Sequence, residues 1–369
     1  MSAPDTARLA GICHAIFCFD VGFQIDLDAL ERRLGESERV RAVRARRPAP
    51  AWFEYEPAPV GLTLAGESVG VGVWTAEASV ECQVYDFGGV ALRYRIPFDG
   101  PPETLVGLGA SLYDNDSLLA DARERVERLR RDAGDTIERS RLSDLNEDFV
   151  AYAVRDWGDS SPAEVLERHG PALARLLQAE RGELAGDRVT QTLATRIGYT
   201  PGDLSVIDWN AALLFDPDPD DILAVLTHAN IELLEMRLLD GQLDHLLTSA
   251  HELMARMAQR STIWPGGVTG RAIRRFAELQ MDSALLFEGV NNAIKLIGDQ
   301  HLARVYVIAS DRLNLPQWDA SVLRKLGVAE SVYEKLAHAA GTKRMELLEW
   351  IIIVLILFSI VMPFLGIKY

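Results

Sequence analysis

Cysteine is scarce in this chain, with three residues in 369, and lysine is nearly as rare, with five. Cys13, Cys18 and Cys82 lie in apolar, strand-like stretches, and an odd number of cysteines does not suit a disulfide framework. We therefore expect three reduced cysteines buried in the core. The first ten residues carry one arginine and no apolar run of the length that a secretory signal needs, so we predict no signal peptide.

Positive charge is also in short supply, because 38 basic side chains face 54 acidic ones and the formal net charge is −16. This balance disfavours nucleic acid or an anionic membrane face as a broad electrostatic partner. One stretch is an exception, since five arginines fall within nine residues: Arg39, Arg41, Arg44, Arg46 and Arg47. They are candidate contacts for the phosphate of RNA or of a lipid head group. The acidic surroundings favour the alternative, a solvated loop.

Catalytic and cofactor motifs are missing from the sequence. His251 is followed by a glutamate, as in the zinc-protease motif, but Ala255 stands where the second histidine belongs. Ser111 lacks the flanking glycine of a nucleophile elbow, because Tyr113 occupies that position. We therefore predict a protein that is not an enzyme and has no cofactor and no metal site.

The first part of the chain mixes strand and helix patterns. Residues 12–24 are rich in strand formers, and Phe87-Gly88-Gly89 separates two alternating stretches as in a hairpin. Pro101-Pro102 is typical of a helix start. Later elements are predicted as a strand at 149–157, a helix at 162–181, and strands at 189–198 and 203–215. The sequence predicts an α+β domain over residues 1–215, with 1–140 and 147–215 as candidate lobes.

Beyond Asp216 the pattern becomes helical, and we predict a helical bundle or coiled coil over residues 216–345. One stripe steps by four and three residues without a break from Ile222 to Met257, with Asp240 as its one polar member. We call this stripe the seam. It predicts homo-oligomer formation, and its core positions are Leu226, Leu233, Met236, Leu243, Leu247 and Met254.

Near the end of the chain, the eighteen residues 350–367 carry no charge. As a helix they would measure about 27 Å, close to the hydrocarbon thickness of a bilayer. Basic residues flank the run, which predicts one transmembrane helix with the N-terminus in the cytoplasm. The expected location is therefore a bacterial cytoplasmic (inner) membrane, crossed once. The predicted anchor residues are Trp350, Ile351, Ile352, Ile353, Leu355, Phe358 and Phe364.

Several segments resemble a known family. Leu348-Glu349-Trp350-Ile351-Ile352-Ile353 is similar to the ending of the RMND1/Rmd1/Sif2 (DUF155) family, and Arg312-Leu313-Asn314-Leu315 resembles its preceding helix. Asn230-Ile231-Glu232-Leu233-Leu234-Glu235 and Tyr85-Asp86-Phe87-Gly88-Gly89-Val90 resemble two further motifs. The chain departs from the family at Ser359, where a glutamate is common. The resemblance implies a membrane-anchored, oligomer-forming protein with no known catalytic residues.

Two functional hypotheses follow from these patterns. The first is a tail-anchored, non-catalytic membrane scaffold or interaction protein, with the lipid bilayer, a second copy of the chain and a protein at the membrane as partners. The second is a membrane-tethered contact with RNA or the ribosome through the arginine stretch, as the resemblance implies. Both combine an α+β domain, a helical bundle and one transmembrane helix.

Overall fold

The structure is a computed structural model that describes residues 8–35, 40–41, 53–54, 57–259 and 299–361, with positions 274, 277–278, 281–284, 287 and 295–296. The chain divides into two compact units. The first comprises Met1–Arg237 and Glu288–Gln317, and the second comprises Leu238–Phe287 and Trp318–Tyr369.

A nine-stranded mixed sheet forms the centre of the first unit. In chain order the strands are β1 (Leu9–Asp20), β2 (Gln24–Ile25), β3 (Val40–Arg41), β4 (Phe53–Glu54), β5 (Val60–Leu64), β6 (Gly70–Val71), β7 (Trp74–Thr75), β8 (Val80–Val84), β9 (Gly89–Gly100), β10 (Ile137–Glu138), β11 (Asn146–Asp156), β12 (Arg196–Ile197), β13 (Leu204–Ile207), β14 (Ala211–Phe215) and β15 (Lys295–Leu296). The order in the large sheet is β12-β13-β14-β11-β1-β9-β8-β5-β3. Three two-stranded pairs, β10-β2, β15-β4 and β6-β7, accompany it.

β1 lies in the middle of this sheet, antiparallel to β9 on one side and to β11 on the other. β11 in turn runs parallel to β14. Side chains of a strand alternate between the two faces. Phe17 and Phe19 therefore share one face, where they belong to the main apolar core. Ile16 and Cys18 lie on the opposite face and are also fully buried, so elements cover the sheet on both sides at this strand.

Positions 274, 277–278, 281–284 and 287 are helical, and eight α-helices have defined bounds. They are α1 (Leu27–Gly35), α2 (Pro102–Leu112), α3 (Asp116–Ala133), α4 (Pro162–Leu177), α5 (Gly186–Ala194), α6 (Asp220–Gln259), α7 (Gln300–Arg312) and α8 (Leu315–Val361). α2, α3 and α4 cover the core face, because Leu108, Val126 and Leu173 belong to the same apolar cluster as Phe17.

The start of α6 lies against the other face of the sheet. A Cβ atom on Gly89, at the beginning of β9, would lie 2.9 Å from Cγ1 of Ile231, so glycine permits the close approach of this helix. Local signals also fix two helix starts. Asn115 caps α3 by accepting a hydrogen bond from the backbone N–H of Leu118, and Ser161 begins α4 with a full capping box.

Residues 189–198, predicted as a strand, form most of α5 and the two-residue β12 instead. The β-branched residues Val189, Thr190 and Thr192 suggested extended structure. The helix forms because it packs against α4, where Thr192 is buried and Leu193 approaches Gly170. Tertiary packing thus overrides a weak local preference.

The predicted transmembrane anchor is wrong. In the described part of the chain no helix combines the length and the apolar character that crossing a membrane requires. The tail-anchored class, the transmembrane part of the fold prediction and the single-pass location in a bacterial cytoplasmic membrane are corrected with it.

The second unit contains the later part of α6 and most of α8. Ser321 donates a hydrogen bond to Asp240 at 3.0 Å. Lys325 Nζ lies 2.8 Å from Asp240 and 2.7 Å from Asp244. Because Asp240 faces Ser321 and Asp244 faces Lys325, the two helices run in the same direction. Leu243 and Val322 are fully buried in this unit.

Candidate functional site

The first half of α6 is buried on every side, from residue 225 to residue 236. This segment is not uniformly apolar, as a fully buried helix would be expected to be. Its buried polar residues are Thr227, His228, Asn230, Glu232 and Glu235. Burying such groups costs free energy unless they are paired, so this segment is the strongest candidate for a functional site.

Two acidic residues form the centre of the site. Asp20 ends β1, and Glu235 lies on α6 with 2% of its surface exposed. Oε1 of Glu235 makes no hydrogen bond in the part of the chain that the structure describes. Burial raises the pKa of Glu235 well above its usual value, and the charge of Asp20 raises it further. We call these two residues the carboxyl pair.

The carboxyl pair holds a proton at neutral pH. Burial raises the pKa of Asp20 to about 7, although the positive charge of Arg141 acts to lower it. Two buried carboxyl groups that repel each other do not both ionise readily. Chemically, such a pair can accept or release a proton near neutral pH, as general acids, general bases and proton switches do.

The surroundings of the pair are also acidic. Burial raises the pKa of the Cys18 thiol, and the charges of Glu147, Asp148 and Glu235 raise it further, so the thiol stays protonated. Glu147 differs from the carboxyl pair because Arg237 donates a hydrogen bond to it and forms an ion pair. Arg237 thus compensates the charge of Glu147.

A second polar group lies further towards the start of α6. Tyr306 on α7 donates a hydrogen bond to Oε2 of Glu232 at 2.8 Å. Nε2 of His228 lies 3.8 Å from the same oxygen. Burial lowers the pKa of His228 to about 3, so this imidazole is neutral at physiological pH. The group fixes α7 to α6 through a buried carboxyl oxygen.

We expect the Tyr306→Phe variant to lose about 1–2 kcal/mol of unfolding free energy, because a buried carboxyl oxygen loses its donor. Urea unfolding measures this loss. Tyr199→Phe is the matched control, since Tyr199 is 79% exposed and should change stability by less than about 0.5 kcal/mol. Equal stability of the parent and the Tyr306→Phe variant would show that the hydrogen bond contributes nothing.

Among the residues that it describes, the structure does not bring the arginine stretch and the seam core, two sets of candidate residues, together in one site. Of the arginine stretch only Arg41 has a described backbone, as part of β3, and Arg39, Arg44, Arg46 and Arg47 lie outside the described residues. The seam core is described: Leu226, Leu233, Met236 and Leu243 are buried within the single chain, and Leu247 and Met254 are half-buried. Phosphate contact and self-association stay predictions.

The predicted anchor residues Trp350, Ile351, Ile352, Ile353 and Leu355 lie exposed on α8. The Phe358 side chain and all of Phe364 lie outside the described part.

Sequence reasoning missed Asp20 and Glu235. A usable signal existed, because each acidic residue has an apolar residue directly before and directly after it in the sequence. Among the described residues no group of three or more His, Cys, Asp or Glu could hold a metal ion. A small crevice nearby is lined almost wholly by apolar side chains such as Val21, Val84 and Val90.

Comparisons with known proteins give one family. Residues 10–221 match the family described as "Uncharacterized protein MJ0711, N-terminal domain". A relative from Methanocaldococcus jannaschii, described as "Uncharacterized protein MJ0711", is 22% identical over 219 residues. That alignment covers 58% of this chain and 65% of the relative, so the chain spans less than two thirds of the relative's length. No solved structure matches the chain.

Proposed function

We propose that the chain, which belongs to the family of the MJ0711 N-terminal domain, is a non-catalytic interaction protein that self-associates through its helical region. In this proposal the sheet domain is the module presented to partners, and copies of the chain associate through α8.

The observation that carries this proposal is an exposed apolar run on α8. Eight consecutive residues, from Trp350 to Leu357, expose between 45% and 60% of their surface. Monomeric soluble proteins rarely expose contiguous apolar patches beyond a few hundred Å², and larger patches mark interaction sites. The run therefore favours an occupant that removes it from water.

A second copy of the chain is the occupant that we propose. Every copy carries the same run, so a symmetric assembly can bury the runs of all its members against one another. Burial of one isoleucine or leucine side chain contributes about 1.5–3 kcal/mol, and the run offers several.

The resemblance to the RMND1/Rmd1/Sif2 family gives separate support. It rests on Arg312-Leu313-Asn314-Leu315, which joins α7 to α8, and on Leu348-Glu349-Trp350-Ile351-Ile352-Ile353 in the later part of α8. The resemblance implies oligomer formation without catalysis. We therefore also propose that the chain is a distant relative of the RMND1/Rmd1/Sif2 family.

The test is the mass of the full chain in solution. We expect a discrete oligomer by light scattering, and a monomer of 40.8 kDa for a variant with Ile352→Gln, Ile353→Gln and Ile356→Gln. Val73→Gln is the control, because Val73 is an apolar residue that is 87% exposed in the sheet domain and lies outside the run. This control should keep the parent mass.

Three results would contradict the proposal: a monomeric parent, a polydisperse parent aggregate, or a triple variant with the mass of the parent. Circular dichroism of the variant shows whether the helices remain. If helix content falls together with mass, Ile353→Gln alone is measured, since a single exposed substitution leaves the helix intact. In that case an unchanged mass for the folded single variant would overturn the proposal.

A further inference from the structure

His14 is buried on the sheet without a hydrogen bond. It lies on β1 with 2% of its surface exposed, and neither ring nitrogen has a hydrogen-bond partner in the described part of the chain. Each unpaired buried polar atom costs about 1–3 kcal/mol. Native proteins keep few such atoms, and a bound ligand is one explanation for them.

The neighbour of His14 across the strands also has an unused donor. Arg95 on β9 lies directly opposite His14 in the register. Its Nε is buried and makes no hydrogen bond, although Oε2 of Glu77 lies 3.3 Å away. Directly opposed residues have Cβ atoms about 4.5–5.5 Å apart. Two unsatisfied N–H donors are thus side by side on one face of the sheet.

The local charge is positive in a protein whose net charge is −16. Burial, together with the positive charges of Arg93, Arg95 and Arg155, lowers the pKa of His14 to about 2. The imidazole is therefore neutral, with one N–H to donate. Arg93 Nε donates a hydrogen bond of 2.8 Å to the carboxylate of Glu81, which compensates the charge of Arg93.

Arg155 is a further source of positive charge near His14. It is exposed on β11, and within the described ranges no hydrogen bond or ion pair involves it. The guanidinium groups of Arg93, Arg95 and Arg155 carry three positive charges. The carboxylates of Glu77 and Glu81 neutralise two of them, so one positive charge remains. On β11 the residue opposite His14 is Ala151, which is also fully buried.

We propose that His14, Arg95 and Arg155 bind a phosphate group. The His14 N–H and the Arg95 Nε–H each donate to a phosphate oxygen, and Arg155 adds charge from the rim. Phosphate fits because it carries several acceptor oxygens around one atom, and guanidinium groups bind such oxyanions through charge-assisted hydrogen bonds. The site is independent of the helical self-association proposed above.

The experiment is calorimetric titration of the full chain with sodium phosphate, against sodium chloride at equal ionic strength. We expect heat of binding with phosphate alone. Arg95→Gln and His14→Leu should each weaken binding about tenfold or more, which corresponds to the loss of about 1.4 kcal/mol or more. Arg196→Gln is the matched control, because Arg196 is an exposed arginine on β12 of the same sheet.

A second titration, with adenosine monophosphate, distinguishes the two sources of phosphate. Tighter binding than inorganic phosphate identifies a phosphate ester, and equal or weaker binding identifies the free ion. Phosphate should also raise the Tm of the parent and leave that of folded His14→Leu unchanged.

The proposal fails if the parent shows no heat with phosphate or if Arg95→Gln and His14→Leu bind it as the parent does. It also fails if only long oligonucleotides bind, since that result indicates an extended charged surface.

Discussion

Replacing Arg125 with methionine should lower the free energy of unfolding by about 3–5 kcal/mol. Arg125 lies on α3 and is 2% exposed, although its guanidinium is charged. It donates to the carbonyl oxygens of Leu64 at 3.3 Å, Ala78 at 3.1 Å and Glu67 at 2.9 Å. Its Nε donates to Asp121 at 2.6 Å. One side chain therefore satisfies three carbonyl groups and one carboxylate.

The large effect follows from what the substitution leaves behind. Methionine fills much of the same space, but it offers no donor, so buried acceptors lose their partners at once. Asp121 loses its cation and keeps the hydrogen bond from Tyr94 at 2.5 Å. The loops that carry Ala78 and Glu67 lose their common attachment to α3.

The control lies one turn away on the same helix. Arg128 is 45% exposed at the side chain and reaches Glu124 at 3.8 Å, which is a surface ion pair. Arg128→Met should change stability by less than about 1 kcal/mol. Denaturant unfolding measures both variants. Similar losses for the two would mean that the network around Arg125 stabilises the fold no more than a surface pair does.

Asp20→Asn should make the protein more stable than the parent above pH 7, by about 2–4 kcal/mol. Burial raises the pKa of Asp20 to about 7 in the folded chain, from a usual value of 3.8. The folded state thus binds more protons than the unfolded state between these values. The contribution of Asp20 to the stability of the parent falls as the pH rises from about 4 to about 7 and then levels off.

Asparagine cannot ionise, so the free energy of unfolding of the variant does not include the decrease between pH 4 and pH 7 that Asp20 causes in the parent. The pKa of Glu235 should also fall, because the charge of Asp20 helps to raise it. Near pH 4 both residues are protonated in the folded parent, and the two proteins should have nearly equal stability.

Urea unfolding at a series of pH values from 4 to 8 measures the difference. Asp159→Asn, in an exposed turn, controls for the change in net charge. Parallel pH curves for the parent and Asp20→Asn would show that the carboxyl pair does not hold the proton we assign to it.

Local patterns along the chain accounted for much of the secondary structure. The Gly-Gly turn separates β8 from β9, Pro102 lies at the start of α2, and the seam lies on one long helix, α6. These features depend on neighbours a few residues apart, through turn geometry, capping and helical period. The prediction made from hydropathy at the end of α8 was wrong, since no helix among the described residues is long and apolar enough to cross a membrane.

The sequence by itself determined an α+β region followed by helices, a strongly acidic chain and the helical stripe of α6. Only the tertiary structure decided that β1 lies between β9 and β11 and that His14 lies opposite Arg95. It also decided that the charge of Asp20 acts on Glu235, 215 residues further along the chain. Periodicity records which side of an element is apolar and carries no information about the element that covers it. The carboxyl pair and the His14 site depend on that covering, because burial and non-local neighbours set the charge and the unused hydrogen bonds of each group.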